Sequence, residues 1–146
     1  MTPHLRAAAR RHVLDANALI GLFEDREGAA AKVERLLEQA LQQDLPLLMS
    51  AVNWGEVFYI TWRMHGEAKA REAEAKLQEM PIVVIPVDRE RASRAGELKQ
   101  KHGLGYADAF AAELAIERGA WLITADPQFS RIGKRLSLHS LPRYEK

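Results

Sequence analysis

The chain reads as an α/β protein with three layers, helices packed on both faces of a central, mainly parallel sheet. Three observations predict this. Short apolar runs of strand length recur between longer segments with helical spacing. Those runs are close to uninterrupted, as in strands buried on both faces. The stretch from Gly103 to Phe129 also shows a whole repeating unit, a helix stopped by glycine and followed by a strand.

The elements follow in order. His12 to Asp15 is a short apolar strand that stops at an acid, and a helix is expected to begin near Asn17. In the next helix, Ala29, Val33, Leu36, Leu37, Ala40 and Leu41 are expected to form one buried stripe among charged neighbours. Leu45 to Met49 is the second strand. Ser50 or Asn53 starts a helix that carries Trp54, Glu56, Val57, Phe58 and Ile60; Glu56 is expected in its first turn with core around it. Gly66 separates that helix from another, Glu67 to Glu79, and the pair reads as a hairpin. Pro81 to Val87 is the strongest strand signal, β-branched and bracketed by prolines. A charged helix spans Asp88 to Lys101. The alanine-rich segment Ala107 to Arg118, with Phe110 and Leu114 on one face, ends at Gly119. Ala120 to Thr124 is a buried strand, Pro127 starts a turn or short helix, and Ser137 to Leu141 is a possible last strand.

Composition narrows the classes. At 146 residues, 47% hydrophobic and 28% charged, the chain suits one domain over residues 1–146, with its core at about 12–141. There is no cysteine, which excludes disulfides and thiolate zinc sites. The five histidines lack metal-ligand spacing. A net charge of +1 does not by itself announce a nucleic-acid binder. No run approaches the roughly 18 apolar residues of a membrane span, and Met1 to Arg11 lacks the apolar region of a signal peptide. A cytoplasmic protein away from the membrane is expected.

Chain lengths bring two carboxylates to one level. A helix climbs roughly 15 Å from Asp108 to Arg118 at about 1.5 Å per residue. An extended chain returns roughly 16 Å from Trp121 to Asp126 at about 3.3 Å per residue. In a parallel sheet each strand's C-terminal end and the next helix's N-terminus share one edge, where ligands bind. Asp15, Glu56, Asp108 and Asp126 each fall at such a junction. Asp15 alone is equally read as the cap of the following helix. Four acids gathered together repel and titrate high unless a cation sits among them. All-oxygen ligands fit Mg²⁺ or Mn²⁺, which can activate a water for attack on phosphorus. Thr124 and Asn17 stand beside the acids and could hold a water or a carboxylate, or simply end a strand and cap a helix.

The segments VLDANALI with Asp15, NWGEVFYI with Glu56, GYADAFAAELA with Asp108 and LITADPQF with Asp126 resemble the motifs of the PIN domain, and in particular VapC-type ribonuclease toxins. The likeness runs from about residue 12 to 130 in the family's order and spacing. It implies a Mg²⁺- or Mn²⁺-dependent endoribonuclease, usually a homodimer, restrained by a small antitoxin protein. Asp15, Glu56, Asp108 and Asp126 match the acidic site and Thr124 its supporting hydroxyl. Asn17 stands where a small hydroxyl residue is common. We expect Asp15 and Asp108 as direct metal ligands and Asp126 as a ligand directly or through water. Glu56 would ligate or orient the attacking water. Arg6, Arg10, Arg131 and Lys134 are the expected phosphate-holding residues at the rim. A dense acidic pocket also invites an inhibitor's Arg or Lys.

Three other readings share the scaffold. A receiver-like phosphoacceptor needs an adjacent acidic pair and a lysine after the last strand, which are missing here. A metal-dependent phosphatase of the haloacid-dehalogenase type needs a second acid where Asn17 stands. A PIN-like module that binds RNA without cutting is the third, and the presence of all four acids argues against it.

Overall fold

In the computed structural model, which describes residues 10–143, five strands form one sheet in the order β3-β2-β1-β4-β5, with every neighbouring pair parallel. The strands are β1 (His12–Leu14), β2 (Leu47–Ser50), β3 (Ile82–Ile85), β4 (Trp121–Thr124) and β5 (Ser137–Ser140). Between them run α1 (Ala16–Phe23), α2 (Ala29–Gln42), α3 (Ala51–His65), α4 (Glu67–Gln78), α5 (Arg89–His102) and α6 (Tyr106–Arg118), and a 3₁₀ segment covers Pro127–Arg135. From β1 the chain builds outward through β2 to β3, then returns to the other side of β1 for β4 and β5. The direction of winding therefore reverses between β1 and β4, the place where open α/β sheets form a crevice.

The two-residue period of the strands divides the core. Val13, Leu48 and Leu122 face one layer with Leu98, Phe110, Leu114 and Phe129 from α5, α6 and the 3₁₀ segment. Leu14, Leu47, Met49 and Ile123 face the other layer with Leu19, Val33, Leu37, Val57 and Leu77 from α1 to α4. Each such side chain contributes about 1.5–3 kcal/mol when fully buried. Asp15, Ser50, Asp88 and Asp126 all cap the segments they precede by accepting a backbone N–H. Gly103 and Gly119, at φ 66 and 58, close α5 and α6 in the left-handed conformation that glycine adopts without strain.

Several expectations need correction. Leu41, placed on the buried stripe of α2, lies in the last turn and is 68% exposed. Ser50 is the cap of α3, so Glu56 lies in the second turn, beyond the reach of the free N–H groups at the helix start. The buried face of α3 runs through Asn53, Val57 and Thr61, leaving Trp54, Phe58 and Ile60 only partly covered and Tyr59, Trp62 and Met64 exposed. β3, the strongest strand signal, is an edge strand with Val83 and Val84 exposed. Its β-branched composition reports strand propensity, which does not distinguish edge from centre. α3 and α4 pair as the expected hairpin about Gly66. Among the described residues no helix is long and apolar enough to cross a membrane.

Candidate active site

The end of β1 delivers Asp15 to the winding reversal, where its backbone N–H still reaches Ile123 on β4. Asp15 is 2% exposed. One carboxylate oxygen caps α1 by accepting from Ala18 N at 2.8 Å, so capping and site membership coincide in one side chain. Burial pushes its pKa from 3.8 up to about 7. Hydrogen bonds from Thr124 and the Ala18 N–H oppose that rise, and the charges of Asp108 and Asp126 add to it.

Thr124, the last residue of β4, is also buried. Its hydroxyl donates toward Asp15, while its oxygen accepts from Asp126 N at 3.0 Å. One side chain thereby fixes one acid directly and the backbone of the next. Asp126 caps the 3₁₀ segment by accepting from Gln128 N at 2.9 Å. Asp108 lies in the first turn of α6, and burial, followed by the charge of Asp126, holds its pKa above the usual carboxylate range against a hydrogen bond from Gln128.

The Gln128 side chain joins these two acids. Its amide nitrogen donates to Asp108 Oδ2 at 3.1 Å and to Asp126 Oδ2 at 2.5 Å. Its carbonyl oxygen accepts from Gly105 N, at the start of α6, at 3.0 Å. Gly105 is itself constrained, because a Cβ there would fall 2.5 Å from Asp108 Oδ2.

Glu56 joins from α3. It is half-buried, and burial raises its pKa; a hydrogen bond from Asn53 opposes this and the charge of Asp108 adds to it. The Asn53 amide donates to Glu56 Oε1 at 2.8 Å and to Ala107 O, beside Asp108, at 3.0 Å. Asn53 is 0% exposed, and its Oδ1 has no hydrogen-bond partner. Thus Asp15, Asp108 and Asp126 interact with one another, and Glu56 interacts with Asp108.

The other expected residues are placed differently from one another. Asn17 does not cap α1; its Oδ1 accepts from Arg26 Nη1 at 2.8 Å, and Arg26 also holds Glu24 at 2.7 Å. Arg131 Nη1 donates to Gly103 O at 3.2 Å, three residues before the start of α6, so it stands on the acidic edge. Lys134 is exposed on the same 3₁₀ segment. Arg10 lies at the opposite edge of the sheet. Its Nε donates to Gly119 O at 3.1 Å and its guanidinium stacks 4.3 Å above the Trp121 ring, at the start of β4. Arg6 lies outside the described residues.

Gly105 and Gln128 are not marked by the sequence, and Asn53 is marked there only as a candidate helix start. Asn53 lies three residues before Glu56 on one helix, a spacing that signals contact. Gln128 meets Asp108 only through the fold, 20 residues away.

The donor set consists of hard carboxylate oxygens, and the groups that shift Asp15, Glu56 and Asp108 include no basic side chain. With the orphaned Asn53 oxygen nearby, this chemistry fits a hard divalent cation. Among the described residues no three acidic or histidine side chains are drawn close enough to form a finished metal shell. The amide of Gln128 lies between two of them instead. A cavity of 570 Å³ lies elsewhere, between the end of α1, α3 and α4, and takes in none of the four acids.

Comparison with known proteins agrees with this architecture. The model of the PIN domain family matches residues 12–135. Among solved structures, VapBC2 from Rickettsia felis bound to a promoter DNA fragment is similar at 19% identity and TM-score 0.67, covering 89% of this chain and 98% of that one. VapC20 from Mycobacterium tuberculosis, a sarcin–ricin loop cleaving toxin, is similar at 18% identity and TM-score 0.68, covering 84% and 95%. A toxin–antitoxin complex from Klebsiella pneumoniae is similar at 25% identity and TM-score 0.59, covering 86% and 94%. A search of the curated proteins returns no match.

Proposed function

The chain belongs to the PIN domain family, and from that premise we propose that it is a Mg²⁺- or Mn²⁺-dependent endoribonuclease, the toxin of a type II toxin–antitoxin pair acting on cytoplasmic RNA. The observation that carries the reading is the meeting of Asp15, Asp108 and Asp126 at the winding reversal, with Glu56 of α3 beside Asp108. Acids buried this way cost free energy in a protein that does not use them.

Asp15 and Asp108 would hold the cation, with Asp126 joining directly or through water. A bound divalent cation supplies a Lewis acid for a phosphoryl oxygen and makes its water more acidic. Glu56, whose pKa burial raises above the usual carboxylate range, would take the proton of the attacking water as the water oxygen bonds to phosphorus; the scissile P–O bond breaks and the leaving oxygen takes a proton from solvent. Thr124 holds the Asp15 carboxylate in orientation. Arg131 and Lys134 would hold flanking phosphates. Arg10, at the far edge, is not assigned to the cut itself.

Two partners follow from the same reading. A small antitoxin would place an Arg or Lys into the acidic crevice, and a second copy of the chain would form a homodimer. The exposed Tyr59, Trp62 and Met64 of α3 are apolar surface that such partners would cover, and the neighbouring cavity adds charged side chains such as Glu24, Lys69 and Glu72. Family membership leaves the phosphatase and receiver readings without support, and Asn17, committed to Arg26, supplies no second acid.

The test is cleavage of RNA by the parent and by Asp108→Asn, each with Mg²⁺ or Mn²⁺ and with EDTA. Metal-dependent cutting that the substitution abolishes is the expected result; equal cutting by both proteins would refute the site. Sequencing RNA ends after brief expression would then identify the target.

A further inference from the structure

The Gln128 side chain lies where opposite charge is most needed. Both amide hydrogens go to carboxylates, one on Asp108 and one on Asp126, and its oxygen is held by the Gly105 N–H at the start of α6. Both N–H groups and the carbonyl oxygen are therefore engaged, and they orient the amide with its positive end toward the two acids. Its backbone N–H also donates to the capping carboxylate of Asp126, which anchors the residue on the 3₁₀ segment.

We propose that Gln128 is a place-holder for the cation: its amide keeps Asp108 and Asp126 paired when metal is absent, and it must leave when metal binds, so that Gln128 weakens metal affinity. This rests on the metal-dependent reading above. Two arguments support it. N–H groups aimed at both carboxylates point toward the space a shared ion would fill, and a hydrogen that faces a cation repels it. The two hydrogens of a planar amide also diverge by about 120°, whereas neighbouring ligands of an octahedral ion at about 2.1 Å stand only about 3 Å apart. An amide that donates to both acids therefore spaces their oxygens differently from two neighbouring ligands of one ion. Swinging Gln128 aside breaks two charge-assisted hydrogen bonds, which is the source of the affinity loss.

The experiment measures Mn²⁺ binding by calorimetry and the melting temperature of the metal-free full chain, for the parent, Gln128→Ala and Gln128→Lys. Gln128→Ala should bind Mn²⁺ about tenfold more tightly while its metal-free form melts lower, because the acids lose their partner. Gln128→Lys should show the reverse, weaker Mn²⁺ binding and a higher metal-free melting temperature. Unchanged or weaker Mn²⁺ binding by Gln128→Ala overturns the proposal while leaving the metal-dependent nuclease intact. If Gln128→Ala fails to fold, the lysine variant decides, and Mn²⁺ binding equal to the parent's overturns the proposal. A parent that binds no Mn²⁺ overturns both readings.

Discussion

Replacing Asp15 by asparagine should stabilise the metal-free protein at pH 8 while abolishing cleavage. Asp15 has an ordinary pKa of 3.8 that burial raises to about 7 in the folded chain. A carboxyl group raised in this way binds its proton more tightly when folded, so stability is greatest at low pH and declines as pH rises from about 4 to about 7. At 1.36 kcal/mol per pH unit, the decline from this one group is about 4 kcal/mol. Asparagine cannot ionise and so avoids it. Its amide oxygen can still accept from Ala18 N, while the Thr124 hydroxyl loses its acceptor at a cost of about 1 kcal/mol. Asp15→Asn should then be about 3 kcal/mol more stable than the parent at pH 8 and slightly less stable near pH 4.

Urea denaturation with EDTA, repeated across that range, provides the assay. With a slope of about 2 kcal/mol per molar urea, the midpoint at pH 8 should rise by about 1.5 M. His12 and His139, both lowered chiefly by burial, give an opposite slope, with stability increasing as pH rises toward 6.5. They occur in both proteins, so the difference between the two isolates Asp15. A constant difference across pH, or a variant less stable at pH 8, would refute the reasoning.

Glu113→Ala should cost about 3–5 kcal/mol in urea, because Arg91 keeps a buried guanidinium and loses its 2.8 Å partner; cleavage per folded molecule should not change. Gly105→Ala should lower cleavage by about 100-fold with little loss of stability. The backbone there, at φ −58 and ψ 147, accepts alanine, so the effect comes from the new Cβ pressing on Asp108 and is seen by comparing single-turnover rates with melting curves. Thr124→Val should raise the Asp15 pKa further and move the acidic limb of the pH–rate profile to higher pH, because a hydrogen bond that favours the ionised form is gone.

The architecture was legible because its signals are local. Apolar strands, the glycine after α6 and the acid at each junction lie within a few residues of the features they define. The level reached by Asp108 and Asp126 followed from rise per residue alone, and the shared Gln128 amide spans both. What was missed depends on long-range packing. Leu41 fits its stripe by period, yet period does not say where a helix passes beyond its partner layer. Arg10 was grouped with Arg131 by charge, but the two lie at opposite edges because Arg10 precedes β1 and bonds Gly119 ahead of β4, whereas Arg131 follows the end of β4. Glu56 was placed one turn too early because either Ser50 or Asn53 could begin the helix. Asn53 turned out to be the residue that holds Glu56 instead.

The winding reversal also bears on how such a protein is made. Its acids come from positions 15, 56, 108 and 126, and the strand that brings the first beside the last, β4, is the fourth of five to be synthesised. A nascent chain on the ribosome therefore has no complete set of carboxylates until Asp126 has emerged and β4 has docked beside β1. On the ribonuclease reading proposed above, late assembly would protect the message being translated and would leave an interval in which an inhibitor made beforehand is already waiting.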